Sequence, residues 1–283
     1  MYKIVNKDIL NPSVQRIAIH APEVARAARP GQFIILRVDE NGERVPLTVN
    51  DTDPVAGTVT VVYQLVGMTT RMLAQLEVGD HLQDFVGPLG NPSDLEGLSR
   101  VCVVGGGVGC AIAYPQAKAL HKAGARVDII AGFRSADLVI LEEEMKEASD
   151  WLAVATDDGS NGNKGFVTDL LRARIDELAA QGDTPFERIL AVGPLPMMRA
   201  VANLTREYGI KTIVSMNTVM IDGTGMCGGC RLTVGGKTVF ACVDGPEFDA
   251  HEVDFDEALR RGAFYRTQEK EREENCGLFR EVR

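Results

Sequence analysis

The chain has 283 residues, 45% of them hydrophobic, and a formal net charge of −10. That length and apolar content supply cores for two domains of ordinary size, while the acidic balance and scattered basic residues argue against a nucleic-acid surface or an anionic membrane as partner. The N-terminal MYKIVNKDIL has neither the apolar core nor the cleavage site of a signal peptide, and no apolar run approaches the about 18 residues that span a bilayer. A cytoplasmic location is expected, and in that compartment thiols stay reduced, so clustered cysteines read as metal ligands or redox groups rather than disulfides.

In chain order, the first hundred residues carry short β-type runs broken by Gly, Pro, Asn and Asp: SVQRIAIHA, GQFIILRVDE, RVPLTVND, GTVTVVYQLVG and GDHLQDFVGPLG. Their pattern predicts a small antiparallel barrel. From Arg100 the texture changes. RVCVVGGGVG reads as a buried strand entering a glycine turn, CAIAYPQAKALHKAG as a helix, ARVDIIAGF as a second buried strand and VILEEEMKEAS as another helix. WLAVATDDGS, GFVTDLLRARIDELAAQG, RILAVGP, PMMRAVANLTREYG and KTIVSM continue the alternation, which predicts a doubly wound parallel sheet. A third texture, Gly and Cys with short strands, starts near residue 216, and a charged tail ends the chain.

Gly105, Gly106, Gly107 and Gly109 stand between the first strand and first helix of this second region. Glycine lets the backbone approach a pyrophosphate, and the following helix offers unpaired N–H groups and a positive dipole end. A tight strand-to-helix turn would also want glycines, but the strand before, the helix after and a second β-α unit behind favour nucleotide binding. The spacing GGGVGCA departs from G-x-G-x-x-G toward the variant of flavin reductases. TDDGS at 156–160 and VGPLPMM at 192–198 follow later strands, at the carboxyl edge where ligands of such sheets bind, although each also reads as an ordinary turn with a helix cap.

Asp222, Cys227, Cys230 and Cys242 follow D-x4-C-x2-C-x11-C. Cysteine in place of the aspartate would give the plant-type [2Fe–2S] spacing, and the loop glycines let the chain fold around inorganic sulfur. Zinc competes, since C-x2-C is also a zinc knuckle, but only one further cysteine lies nearby. Asp222 is open between iron ligand and turn residue. Cys102 and Cys110 read as small core residues, Cys276 carries no assignment, and none of the four histidines lies in a recognisable triad motif.

Together, RVPLTV, VVYQLVGMTTRML, VVGGGVGCA, AGFRSADLVILEEEM, TDDGSNGNKGFVTDLL, VGPLPMM and the C-terminal cysteine loop resemble the ferredoxin–NADP reductase superfamily. More narrowly, they resemble its branch containing the electron-transfer subunit of dihydroorotate dehydrogenase, the sulfide dehydrogenase small subunit, and the small subunit of NADH-dependent reduced ferredoxin:NADP oxidoreductase. The resemblance covers nearly the whole chain. It implies an FAD-binding barrel over 1–98, an NAD-binding α/β domain over 99–215, a [2Fe–2S] domain over 216–263 and a tail over 264–283. Pro46, Leu47 and Thr48 match the stretch along the flavin, and Tyr63, Gln64, Thr69 and Thr70 match the second flavin segment and the phosphate turn. The family's arginine stands directly before the proline, where this chain has Val45, so Arg44 is open between a pyrophosphate contact and a surface residue.

In the second domain the resemblance gives the four glycines the NAD pyrophosphate, Asp157 and Asp158 its ribose or nicotinamide end, and Gly193 and Pro194 the flanks of the nicotinamide. Many relatives carry a cysteine before that Gly-Pro; here it is Val192, so no thiol role is expected. NAD(H) is expected over NADP(H), with Arg134 and Ser135 placed where a 2′-phosphate could sit. DGTGMCGGC, with its aspartate in the first ligand position, favours the last two branch members over the dihydroorotate subunit. The implied protein passes electrons between NAD(H), FAD and the cluster to a larger FAD and [4Fe–4S] flavoprotein subunit, which handles ferredoxin and NADP(H). A sulfide or dihydroorotate dehydrogenase subunit, or a non-enzymatic flavin and cluster sensor, stands as the alternative.

Overall fold

The structure, a computed structural model, describes residues 2–264, 267, 268 and 271; Cys276 and most of the tail lie outside them. Strands β1 (Tyr2–Asn11), β2 (Val14–His20), β3 (Phe33–Arg37), β4 (Val45–Asp53), β5 (Thr58–Gln64), β6 (His81–Leu82) and β7 (Asp84–Leu89) form an antiparallel sheet in the order β6-β1-β2-β5-β4-β3-β7, curled into a nearly closed barrel. Helices α1 (Pro22–Ala27) and α2 (Met68–Gln75) interrupt it. Alternation fills its interior with Ile17, Ile19, Ile34, Leu36, Val59, Val61 and Tyr63. β1 gives a weak sequence signal because most of its residues are exposed or half-buried, so no clean alternation marks it.

The second sheet has the order β10-β9-β8-β11-β12-β15. β8 (Arg100–Gly106), β9 (Arg126–Phe133), β10 (Trp151–Thr156), β11 (Arg188–Val192) and β12 (Thr212–Ser215) run parallel. All seven residues of β8 are buried, as expected for a strand covered on both faces. Helices α3 (Gly109–Lys122) and α4 (Glu142–Glu147) cover one face, and α5 (Val167–Gln181) and α6 (Leu195–Glu207) the other. The expected doubly wound architecture is present.

Two features tie the parts together. Pro115 lies inside α3 and has no N–H to offer the carbonyl of Ala111 one turn earlier. Asn50 of the barrel strand β4 fills the gap, its Nδ2 donating to that carbonyl at 2.7 Å in a buried contact. The C-terminal region also lends a strand to the nucleotide sheet: β15 (Glu247–Asp249) pairs antiparallel with β12, after the hairpin β13 (Arg231–Val234) and β14 (Lys237–Phe240) and before α7 (Phe255–Arg261). Cys230, Leu232, Ala241 and Cys242 share one core with α5, α6 and Phe33 and Ile35 of the barrel. The cysteine segment is therefore packed into the junction of both larger parts rather than tethered beside them.

Candidate functional site

The strand order reverses between β8 and β11, where Gly105 lies opposite Val192. At such a reversal the two following helices diverge and leave a crevice at the carboxyl ends of the strands. The structure sorts the four glycines by what a Cβ would meet. At Gly105 it would lie 2.7 Å from Cys110 Sγ, at Gly106 2.4 Å from Met197 Sδ, and at Gly109 2.3 Å from the Val192 carbonyl oxygen. These three allow close packing of α3, α6 and β11. Gly107 differs: its φ of +56° favours glycine, and a Cβ there would meet nothing within 4 Å. It is the position from which backbone faces open space at the start of α3.

Gly193 packs against Gly106, its Cβ position lying 3.2 Å from the Gly106 Cα, and Pro194 caps α6. The two glycine turns thus meet across the crevice. Asp157 and Asp158 follow β10, with backbone N–H groups donating to the carbonyls of Phe133 and Arg134 at 3.0 and 3.2 Å. The Asp158 carboxylate accepts from the hydroxyl and amide of Ser160 at 2.7 and 2.9 Å, which hold it below the ordinary carboxylate range. Its Oδ1 is committed to the turn, whereas the Asp157 side chain is exposed and makes no hydrogen bond or ion pair among the described residues.

In the barrel, Pro46, Leu47 and Thr48 are half-buried on β4, opposite Ile35, Ile34 and Phe33. Gln64 is exposed, but its neighbour Tyr63 is 1% exposed and its hydroxyl donates to Gln15 Oε1 at 2.9 Å, which places it in the barrel interior. Thr70 folds its hydroxyl back on the start of α2, donating to the Gly67 carbonyl at 3.0 Å and accepting from the Gly67 amide at 3.1 Å. Thr69 donates to Glu43 at 3.3 Å. Arg44, next to Glu43, points toward the cysteine segment: its Nε donates to the carbonyl of Ile221 at 3.0 Å.

That segment rests on the barrel. A Cβ at Gly223 would lie 2.6 Å from Ile35 and 2.8 Å from Leu89, so only glycine lets the loop sit this close to β3 and β7. Gly223, Gly225 and Gly228 have φ of +75°, +81° and +67° and turn the chain tightly around Cys227. Cys230 and Cys242 are buried free thiols, the Cys230 Sγ–H donating to Cys242 Sγ at 3.2 Å. Burial, then the Cys230 thiol, push the Cys242 thiol up to about 12, so a metal must draw the proton from Cys242 as it binds. Cys227 is exposed and its sulfur accepts from the Gly229 amide at 3.5 Å. Both Asp222 carboxylate oxygens accept backbone N–H groups, from Thr224 at 2.8 Å and Cys227 at 2.7 Å, which hold the carboxyl below its ordinary range.

Among the described residues no three His, Cys, Asp or Glu side chains converge as a closed metal site. The structure brings Cys230 and Cys242 together and leaves Cys227 and Asp222 on the facing turn, connected through the Cys227 amide. A glycine-rich turn with two thiols, a carboxylate and a sulfur-directed amide, joined by the thiol of Cys242 from beyond the β13–β14 hairpin, fits a thiolate-ligated cluster.

Comparison with known proteins agrees with this reading. Residues 217–254 match the family model described as iron-sulfur cluster binding domain of dihydroorotate dehydrogenase B, and residues 103–203 match the oxidoreductase NAD-binding domain. A Thermotoga maritima protein described as a dihydroorotate dehydrogenase B (NAD(+)) electron transfer subunit homolog is 50% identical, covering 95% of this chain and 93% of its own. The Fusobacterium nucleatum dihydroorotate dehydrogenase B electron transfer subunit is 34% identical, covering 82% of this chain and 90% of its own. The chain belongs to the dihydroorotate dehydrogenase B electron-transfer-subunit branch of the ferredoxin–NADP reductase superfamily.

Within that branch, a chain in the structure of NADH-dependent reduced ferredoxin-NADP oxidoreductase, solved for insight into flavin-based electron bifurcation, superposes with a TM-score of 0.88 at 48% identity over 95% of both chains. Amycolatopsis cytochrome P450 reductase, 17% identical with a TM-score of 0.59, shares the fold. This member of the branch is an NAD(H)-linked oxidoreductase subunit with an iron–sulfur domain. Among its described residues no helix is long and apolar enough to cross a membrane. Sequence reasoning missed three contacts of the cysteine loop, from Arg44, Arg231 and Arg261, because they are made by tertiary packing and carry no motif.

Proposed function

We propose that this chain is the small subunit of an electron-bifurcating NADH-dependent ferredoxin:NADP oxidoreductase, carrying FAD, one [2Fe–2S] cluster and an NAD(H) site, and working with a larger FAD and [4Fe–4S] flavoprotein subunit that handles ferredoxin and NADP(H). The carrying observation is the seating of the cysteine loop on the barrel: Gly223 against Ile35 and Leu89, and Arg44 bonded to Ile221 two residues before the flavin strand's Pro46. When bound, nicotinamide and flavin exchange a hydride and the cluster carries electrons singly. Gly107 leaves room for the pyrophosphate, and the start of α3 supplies N–H groups to it. Pro46, Leu47 and Thr48 present the flavin face, Thr69 and Thr70 shape the phosphate turn, and Asp157, Gly193 and Pro194 border the nicotinamide crevice. Cys227, Cys230, Cys242 and Asp222 hold the cluster.

The ligand aspartate is the feature that favours this over a dihydroorotate dehydrogenase partner, since in the resemblance the dihydroorotate subunit has a cysteine there. The test is anaerobic purification followed by cofactor analysis and partner capture. About two iron and two acid-labile sulfide per chain with one FAD, NADH-dependent flavin bleaching, and co-purification with a larger flavoprotein that reduces ferredoxin are expected. Zinc without labile sulfide would end the cluster assignment, and a partner acting on dihydroorotate or sulfide would replace the bifurcation assignment.

A further inference from the structure

Three arginines from three different parts of the chain converge on backbone carbonyls of the cysteine loop. Arg44 Nε, ahead of β4, donates to Ile221 O at 3.0 Å; Arg231 Nη1, at the start of β13, to Gly228 O at 3.4 Å; and Arg261 Nη2, at the end of α7, to Gly229 O at 3.2 Å. The peptides concerned are trans, so each carbonyl turned toward an arginine turns the N–H of the next residue to the opposite side. The next residues are Asp222, Gly229 and Cys230. One of these reversals is visible in full: the peptide whose Gly228 carbonyl accepts from Arg231 is the peptide whose Gly229 N–H donates to Cys227 Sγ at 3.5 Å.

We infer that Arg44, Arg231 and Arg261 are positioning residues for the cluster: by holding carbonyls outward they aim loop N–H groups at the ligand sulfurs and raise the cluster's reduction potential. The inference rests on the assignment of the cysteine loop as the [2Fe–2S] site. A guanidinium on the carbonyl polarises the peptide and strengthens the N–H···S bond on its far side. Hydrogen bonds to the sulfurs and nearby positive charge both favour the more negative, reduced cluster. Arginine suits the task because it is always charged and its several donors reach a carbonyl without any need for a partner acid. The three side chains do not act equally on the sulfurs. Arg231 has the direct line to Cys227 Sγ, Arg261 acts on the peptide leading into the buried Cys230, and Arg44 acts on the peptide leading into Asp222.

The test substitutes each arginine by glutamine in the full-length protein, with Arg260→Gln as control, since Arg260 neighbours Arg261 and makes no hydrogen bond to the loop. Iron and labile sulfide in the wild-type protein are measured first, so failure of the cluster assignment is seen before any substitution is made. Arg44→Gln, Arg231→Gln and Arg261→Gln are expected to keep wild-type iron and sulfide, to shift the electron paramagnetic resonance spectrum, and to lower the midpoint potential beyond the Arg260→Gln control. Arg44 and Arg231 are exposed, so these two variants carry the test should Arg261→Gln fold poorly. In deuterated buffer the Fe–S stretching bands of the wild type should move, and Arg231→Gln should diminish that movement. Potentials equal to the control, or an undiminished isotope shift in Arg231→Gln, would overturn the inference. Loss of FAD from Arg44→Gln with an unmoved cluster spectrum would reassign Arg44 to the flavin.

Discussion

Gly107→Val separates the glycine proposed to face the dinucleotide from the glycines that pack. The substitution puts an L side chain at φ +56°, in the left-handed region, which costs about 1–2 kcal/mol. The Cβ itself adds no clash, since it meets nothing within 4 Å. For a chain of this size each kcal/mol lowers the melting temperature by roughly 2–4 °C, so a fall of roughly 2–8 °C is expected. Gly109→Val has a different origin of damage. Its Cβ would lie 2.3 Å from the Val192 carbonyl oxygen and 2.8 Å from the Gly193 Cα, both backbone, so α3 must move off β11. Overpacking of that kind costs about 1–3 kcal/mol or more. At the proposed site the valine at 107 would occupy space needed by the pyrophosphate, and even tenfold weaker NADH binding corresponds to about 1.4 kcal/mol. Anaerobic stopped-flow reduction of the bound flavin against NADH concentration, with thermal unfolding of the same samples, reads both effects. NADH dependence at least about tenfold weaker, with FAD retained, is expected for Gly107→Val. An unchanged NADH dependence would place the dinucleotide elsewhere and refute the assignment.

Asp222→Cys should retain a [2Fe–2S] centre with a shifted resonance spectrum and potential, Asp222→Ala should leave a labile cluster, and Cys230→Ala should lose it. A wild-type spectrum and potential in Asp222→Ala would make the aspartate a turn residue only. Asn50→Ala orphans the buried Ala111 carbonyl and should cost about 1–3 kcal/mol in denaturant unfolding. Adding Pro115→Ala restores an N–H one turn later and should recover part of that loss; strictly additive losses would contradict the gap-filling role. Glu247 accepts from Ser93 and Gln116 at 2.6 and 2.9 Å, and burial, reinforced by Asp94 and opposed by those bonds and Arg188, raises its carboxyl above the ordinary 4.5. The folded state therefore holds this proton more tightly than the unfolded chain. Its stabilisation is complete below about 4.5 and is lost as pH rises through the raised value. Glu247→Gln should flatten the melting temperature against pH over that range, and parallel profiles for the two proteins would show that another group is responsible.

Much of this protein is determined by local pattern. The buried strand RVCVVGG, the glycine turn after it and the alternation of strands and helices that follows are set by chain-local properties: apolar runs that need cover on both faces, and glycines where the backbone turns. The D-x4-C-x2-C-x11-C spacing likewise marks a thiolate site because the ligands lie close along the chain. What the chain could not show locally is which of several similar residues does what. Gly105, Gly106, Gly107 and Gly109 look alike in sequence, and only the approach of Met197 and Val192 from later elements separates three packing glycines from one open one. Tyr63 reads in sequence as part of the second flavin segment, and only the tertiary structure shows Gln15, 48 residues earlier, accepting its hydroxyl. Arg44 stands open between two roles in sequence, and a carbonyl 177 residues away fixes its direction. Asn50 and Pro115 answer one another across a domain boundary because a proline's missing donor must be replaced wherever the carbonyl one turn before it is buried. β15 joins the nucleotide sheet for a similar reason: the edge of β12 leaves backbone groups that need partners, and a strand that follows the cysteine loop in the chain supplies them.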